Sequence, residues 1–79
     1  MKITPTAPTH RFAVCICNDD YPAALELHKI YRVLPDAQGE RCGMIRIVDE
    51  SGDDYLYPAE LFRPLNLPDS LEAELLRAS

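Results

Sequence analysis

The stretch that decides the fold is Tyr55-Leu56-Tyr57-Pro58-Ala59-Glu60-Leu61-Phe62. Its first three residues are aromatic and apolar, the composition of a pleated, half-buried strand. Pro58 has no N–H to give to a ladder, so the strand stops there. Residues 59–62 lie between Pro58 and Pro64 and are too few for an α-helix, which predicts a single 3₁₀ turn before a last short strand over 63–67. Strand, one turn, strand is the signature of a small, mainly β fold.

Upstream, Asp49-Glu50-Ser51-Gly52-Asp53 reads as a tight hairpin, because Gly52 can take the positive φ such a connection demands. Before it, Met44-Ile45-Arg46-Ile47-Val48 alternates, with Ile45 and Ile47 on one side and Arg46 on the other. Residues 36–42 are polar and contain Gly39, which predicts a loop. Ala23, Ala24, Leu25 and Leu27 admit a helix turn, but 29–34 is short and β-branched and ends at Pro35-Asp36, so a second strand is expected there. Asn18-Asp19-Asp20-Tyr21-Pro22 is a loop running to about Ala24. Residues 12–17 form the first strand, with Phe12, Val14 and Ile16 sharing a face at period two. Tyr31, Tyr55 and Tyr57 read as core or rim residues rather than ligand contacts, and alternation alone leaves open whether Tyr55 and Tyr57 or Leu56 point inward.

Downstream of Pro68 the period changes. Asp69 is placed to cap a helix whose capping box Glu72 completes, and Leu71, Leu75 and Leu76 make an apolar stripe over 70–77. Two turns are unstable alone, so these leucines must dock on the strands or on a second chain. Residues 1–9 hold two prolines and three threonines without periodicity and are expected to be a loose arm. The organisation is therefore an arm over 1–9, a β domain over 10–67 and a C-terminal helix over 69–78.

The bulk numbers narrow the class. Seventy-nine residues hold one core. Thirteen acids against eight bases give a net charge of −5, which opposes binding to a polyanionic nucleic acid. No apolar run approaches the roughly 20 residues of a membrane span, and no stretch has signal-peptide character, so a soluble cytoplasmic protein is expected. Three cysteines, with Cys15 and Cys17 two apart, do not make a disulfide framework.

The order strand, long acidic loop, strand, loop, strand, tight hairpin, strand, Pro-led 3₁₀ turn, short strand resembles the SH3 domains. The segment from Tyr55 to Phe62 looks like that family's apolar pair, proline, two small or polar residues and aromatic-apolar pair. Residues 24–34 are similar to its passage from the long loop into the second strand. The resemblance covers residues 10–67 and implies a five-stranded SH3-like barrel, here with a short C-terminal α-helix; the compact form also resembles small free-standing bacterial proteins of that barrel type. It further implies a peptide groove. Pro58 matches the groove proline, and Asp19 and Asp20 match the acidic loop that selects basic peptides, with Tyr21 beside them. Met44 stands where the family has a tryptophan and Leu61 where it has a tyrosine, so the aromatic floor that grips polyproline is missing. A methionine-lined patch can accept another kind of partner.

Other chemistries find little purchase. Cys15, Cys17, Cys42, His10 and His28 supply zinc-ligand chemistry without a CxxC knuckle, so Cys15 and Cys17 read as small packed hydrophobes. Cys42, following Arg41 in a stretch of mixed charge, lacks a base for nucleophilic work. Asp49, Glu50, Asp53 and Asp54 lack the order of a calcium loop and read as a solvated turn. The expectation is a non-catalytic module without metal or cofactor, binding a protein or basic peptide through Asp19, Asp20, Tyr21, Met44, Pro58 and Leu61. The alternative is an assembly protein that self-associates through its terminal helix, and a small metal-binding or enzymatic protein comes third.

Overall fold

The computed structural model describes residues 10–78. The expected arm over 1–9 lies outside the described residues. The elements are β1 (Phe12–Cys15), β2 (Ile30–Leu34), α1 (Ala37–Arg41), β3 (Met44–Val48), β4 (Asp54–Pro58), a 3₁₀ turn (Ala59–Leu61), β5 (Phe62–Leu65) and α2 (Asp69–Ala78). The five strands make one antiparallel sheet in the order β4-β3-β2-β1-β5.

β4 and β5 are the two edges, yet only the 3₁₀ turn separates them in the chain. At about 4.8 Å per strand, the edges of a flat sheet of this order would stand about 19 Å apart. The rings of Tyr57 in β4 and Phe62 in β5 have centroids 6.2 Å apart. The sheet therefore curls until its edges share a core, although among the described residues no ladder joins β4 to β5 and the sheet is unclosed. Ala13, Cys15, Leu25, Tyr31, Val33, Ile47, Tyr57 and Phe62 fill the concave side.

Several expectations need correction. β1 ends at Cys15 instead of residue 17, and its core face carries Ala13 and Cys15, both fully buried, while Ile16 is exposed. The reason is volume: β1 is paired on both sides, and the rings of Tyr31, Tyr57 and Phe62 leave only small side chains room beneath it. Phe12 is buried in register with Arg32 and Leu65, in a groove it shares with Leu75 of α2. The open question at β4 resolves with Tyr57 buried, while Tyr55, nearer the hairpin, is 53% exposed.

The polar stretch 36–42 is a helix, not a loop. Asp36 caps it by accepting a 2.8 Å bond from the Gly39 N–H, satisfying one of the orphan donors of its first turn. Gly39 is buried because α1 presses on β4: a Cβ at that position would stand 2.7 Å from Leu56 Cδ2. Gly52 has φ 89°, as the hairpin requires. The long loop runs on to residue 29 rather than about 24, with Leu25 tucked into the core, and β2 begins at Ile30. β5 spans Phe62–Leu65 rather than 63–67, starting as soon as the 3₁₀ turn ends. α2 starts one residue before the expected 70, with Glu72 N–H bonding the Pro68 carbonyl, so Pro68 and not Asp69 holds the cap position. Among the described residues no helix is long and apolar enough to cross a membrane.

Candidate functional site

The long loop, 16–29, is the least regular part of the sheet's rim and would be mobile if nothing held it. Three sets of bonds hold it. Asn18 Nδ2 donates to the Leu25 carbonyl at 2.9 Å, and the Tyr21 carbonyl accepts from Leu25 N–H at 3.0 Å, closing the loop on itself. Glu50 N–H reaches across from the hairpin to the Ala24 carbonyl at 3.0 Å. The Tyr31 hydroxyl accepts from Glu26 N–H at 2.7 Å and donates to Glu50 Oε2 at 2.5 Å, and Lys29 Nζ pairs with the same oxygen at 2.7 Å. Lys29 holds the Glu50 carboxyl below its usual range, Tyr31 adding to it, and Glu50 in turn raises Lys29. Burial, then the bond to Glu50, pushes the Tyr31 phenol up.

Beneath this loop lies Asp49, a carboxylate only 7% exposed. Its Oδ2 accepts from the Tyr57 hydroxyl at 2.6 Å, and its Oδ1 accepts from Ser51 Oγ at 2.5 Å and Ser51 N–H at 2.9 Å. Burial pushes this carboxyl up, but the donors from Ser51 and Tyr57 outweigh it and hold it below the usual range. Burial, followed by the bond to Asp49, raises the Tyr57 phenol. Tyr57 thus stands upright from a buried anion, and the ring of Tyr21 packs edge-on against it, centroids 4.9 Å apart at 89°.

That stacking ties the acidic loop to the sheet. Asp19 and Asp20 are exposed, and Tyr21, at 36% exposure, is the loop's apolar contact with β4. Pro58 follows Tyr57 and stands opposite Met44 across the β3–β4 ladder. Leu61 closes the 3₁₀ turn, packs partly against the core, and its carbonyl accepts from Ile16 N–H at 2.8 Å. The six expected residues therefore fall into two groups, Asp19-Asp20-Tyr21 and Met44-Pro58-Leu61; Tyr57 packs on Tyr21 of the first and immediately precedes Pro58 of the second. Met44 also borders a separate apolar cleft of about 280 Å³, whose lining includes Phe12, Val33, Ile45 and Pro64, with His10 and Glu40 at its edge, and excludes the 19–21 loop.

The cysteines do not converge. Cys15 is buried, Cys17 half-buried and Cys42 exposed, all as free thiols. Burial, chiefly, raises the Cys15 thiol. Among the described residues no group of three His, Cys, Asp or Glu side chains is placed to hold a metal ion. Of the acids expected to form a solvated turn, Asp49 is a correction: it is the buried acceptor of the hairpin, because it sits inside the curl opposite Tyr57. Its Asp-x-Ser-Gly context is the turn chemistry that could have flagged it. Asp54 is likewise engaged, sharing Arg46 with Asp36 at 2.9 and 2.8 Å on the convex face.

No family model, no curated protein and no solved structure matches this chain.

Proposed function

We propose that the chain is a non-catalytic, cytoplasmic interaction module of SH3-like architecture that binds a protein or peptide bearing basic residues. The docking face would be Asp19, Asp20, Tyr21, Met44, Pro58 and Leu61. The observation that supports this reading is the edge-on packing of Tyr21 on Tyr57, whose chain neighbour Pro58 pairs with Met44 across the β3–β4 ladder. The strand order, with a 3₁₀ turn joining the edge strands and their rings 6.2 Å apart, supports a barrel-like scaffold. Exposed acids select cations through the on-rate more than through binding energy, while the apolar pair supplies burial.

The test is selection of peptides from a random display library on the full chain. Lys- and Arg-rich sequences are the expected winners, and Asp19→Lys/Asp20→Lys should abolish their enrichment. Enrichment blind to charge, or unaffected by the double reversal, rejects the assigned face. A second reading, self-association through α2, is favoured by Leu71, which is 44% exposed on that helix. Light scattering of the full chain should then show a dimer that Leu71→Asp converts to monomer.

A further inference from the structure

A strand at the edge of a sheet presents a row of N–H and C=O groups, and natural proteins blunt such edges against pairing with other chains. The two edges of this sheet differ in that respect. Along an antiparallel ladder, residues alternate between bonding the neighbouring strand and turning their main-chain groups away from it. Ile16 N–H bonds the Leu61 carbonyl at 2.8 Å, so on β5 the pairs Val14–Arg63 and Phe12–Leu65 bond, and Phe62 and Pro64 face outward. Neither has a donor to offer: the Phe62 N–H bonds the Ala59 carbonyl of the 3₁₀ turn, and Pro64 has no N–H. The Phe62 carbonyl is also engaged, by Arg63 Nη1 at 3.1 Å. β5 is closed to addition.

β4 is open. Asp49 N–H bonds the Asp53 carbonyl and Ala59 N–H the Gly43 carbonyl, both at 3.0 Å, which fixes the phase of the ladder. Tyr55 and Tyr57 bond Ile47 and Ile45, while Asp54, Leu56 and Pro58 turn their main-chain groups outward. Among the described residues no strand pairs on that side. Leu56 is 37% exposed there, beside the exposed Tyr55. Pro58 lacks an N–H and leads into the 3₁₀ turn, so an added ladder is short and centred on Leu56.

We infer that the outer edge of β4 pairs antiparallel with β4 of a second copy of this chain, symmetrically about Leu56. The sequence of the strand favours a copy over a foreign segment. Tyr55-Leu56-Tyr57 reads the same in both directions, so this pairing sets Leu56 against Leu56 and each Tyr55 against Tyr57 of the other copy. The two Leu56 residues exchange both N–H···O bonds, and the tyrosines meet as the closer, non-bonded pair, an aromatic contact of the kind that stabilises sheets. Charge permits the register as well. Asp54 stands opposite Pro58 instead of another acid, and Arg46 already holds its carboxylate at 2.9 Å. Because β5 offers no donor, association closes at two copies and does not run on into a filament. The inference rests neither on the proposed docking face nor on α2.

The experiment is amide hydrogen exchange of the full chain by nuclear magnetic resonance at roughly 0.05 and 1 mM, with light scattering on the same samples. Salt at about 0.15 M screens the −5 charge of each copy. The Tyr55 and Tyr57 amides, bonded within the sheet, should be protected at both concentrations. Exchange at the Leu56 amide should slow in step with the dimer fraction, roughly two-fold when half the chains are paired and ten-fold when nine-tenths are. The register is checked with Leu56→Lys and Leu56→Glu, which oppose like charges when alone and opposite charges when mixed. Each should be monomeric, and the equimolar mixture should recover the dimer. Leu56 also packs on α1, so if either variant unfolds, an N-methyl group on Leu56 of a synthetic chain removes the outward N–H alone and should give a folded monomer. A chain that stays monomeric at the higher concentration overturns the inference, as does a mixture of folded variants that stays monomeric. So does a dimer whose Leu56 amide exchanges freely; if Leu71→Asp dissolves that dimer, the contact belongs to α2.

Discussion

Replacing Tyr57 by Phe removes one oxygen from the interior and leaves the ring and its contacts with Tyr21 and Phe62 in place. Among the described residues that oxygen is the only side-chain partner of Asp49 Oδ2, at 2.6 Å, while Oδ1 keeps both donors from Ser51. A hydrogen bond to a charged group contributes about 1.5–3 kcal/mol, and here its loss leaves an ionised oxygen buried without a donor. We expect Tyr57→Phe to cost about 1.5–3 kcal/mol at pH 7, out of a total of about 4–12 kcal/mol for a chain of this size. The melting temperature should fall by ~6 °C or more.

The pH dependence separates this cause from a simple packing loss. Asp49 is held below its ordinary value in the folded state, so its contribution is present above about pH 3.9 and disappears as pH falls through the folded value. Tyr57 is raised, so its contribution is present below about pH 10 and disappears as pH rises through its folded value. The gap between wild type and Tyr57→Phe should therefore narrow on acidification below pH ~4, and the variant should lose one alkaline transition. Urea unfolding followed by circular dichroism at pH 3, 7 and 10.5 measures both. A loss below about 0.5 kcal/mol at pH 7, or one that does not change with acid, would refute the buried-anion account.

Three further outcomes follow from other contacts. Gly39→Ala should show little of the ~1 kcal/mol that alanine usually adds to a helix, because its Cβ meets Leu56 Cδ2 at 2.7 Å, and should recover it in a Leu56→Ala background; additive effects in the double-mutant cycle would disprove the contact. Tyr31→Phe should speed hydrogen exchange at the Glu26 amide, which bonds the Tyr31 hydroxyl, without altering exchange in β3; protection left unchanged at Glu26 would mean the loop is held elsewhere. Titration with a thiol reagent at neutral pH should modify exposed Cys42 first and buried Cys15 only on unfolding, and early reaction at Cys15 would contradict its burial.

The strands and turns were legible because local chemistry dictates them. Pro58 ends β4, Gly52 supplies its hairpin's positive φ, and Ile45 and Ile47 alternate with Arg46, whatever the rest of the chain does. The candidate face was legible only as two separate stretches, since nothing in 19–21 or in 58–61 indicates that Tyr21 packs on Tyr57. The helix α1 was missed because five residues with a central glycine have no intrinsic helical preference; it forms by the Asp36 cap and by pressing Gly39 on Leu56.

Charge, length and periodicity by themselves determined a small acidic β fold with a terminal helix, and disfavoured nucleic acid as a partner. Tertiary structure alone decided which face of β1 is inside, that Asp49 is a buried acceptor instead of a turn acid, and that Met44 borders an apolar cleft with Phe12 and Pro64. The physical reason is common to all three. Burial depends on what the curled sheet brings opposite a residue, and in this chain those partners come from sequence positions that no local period connects.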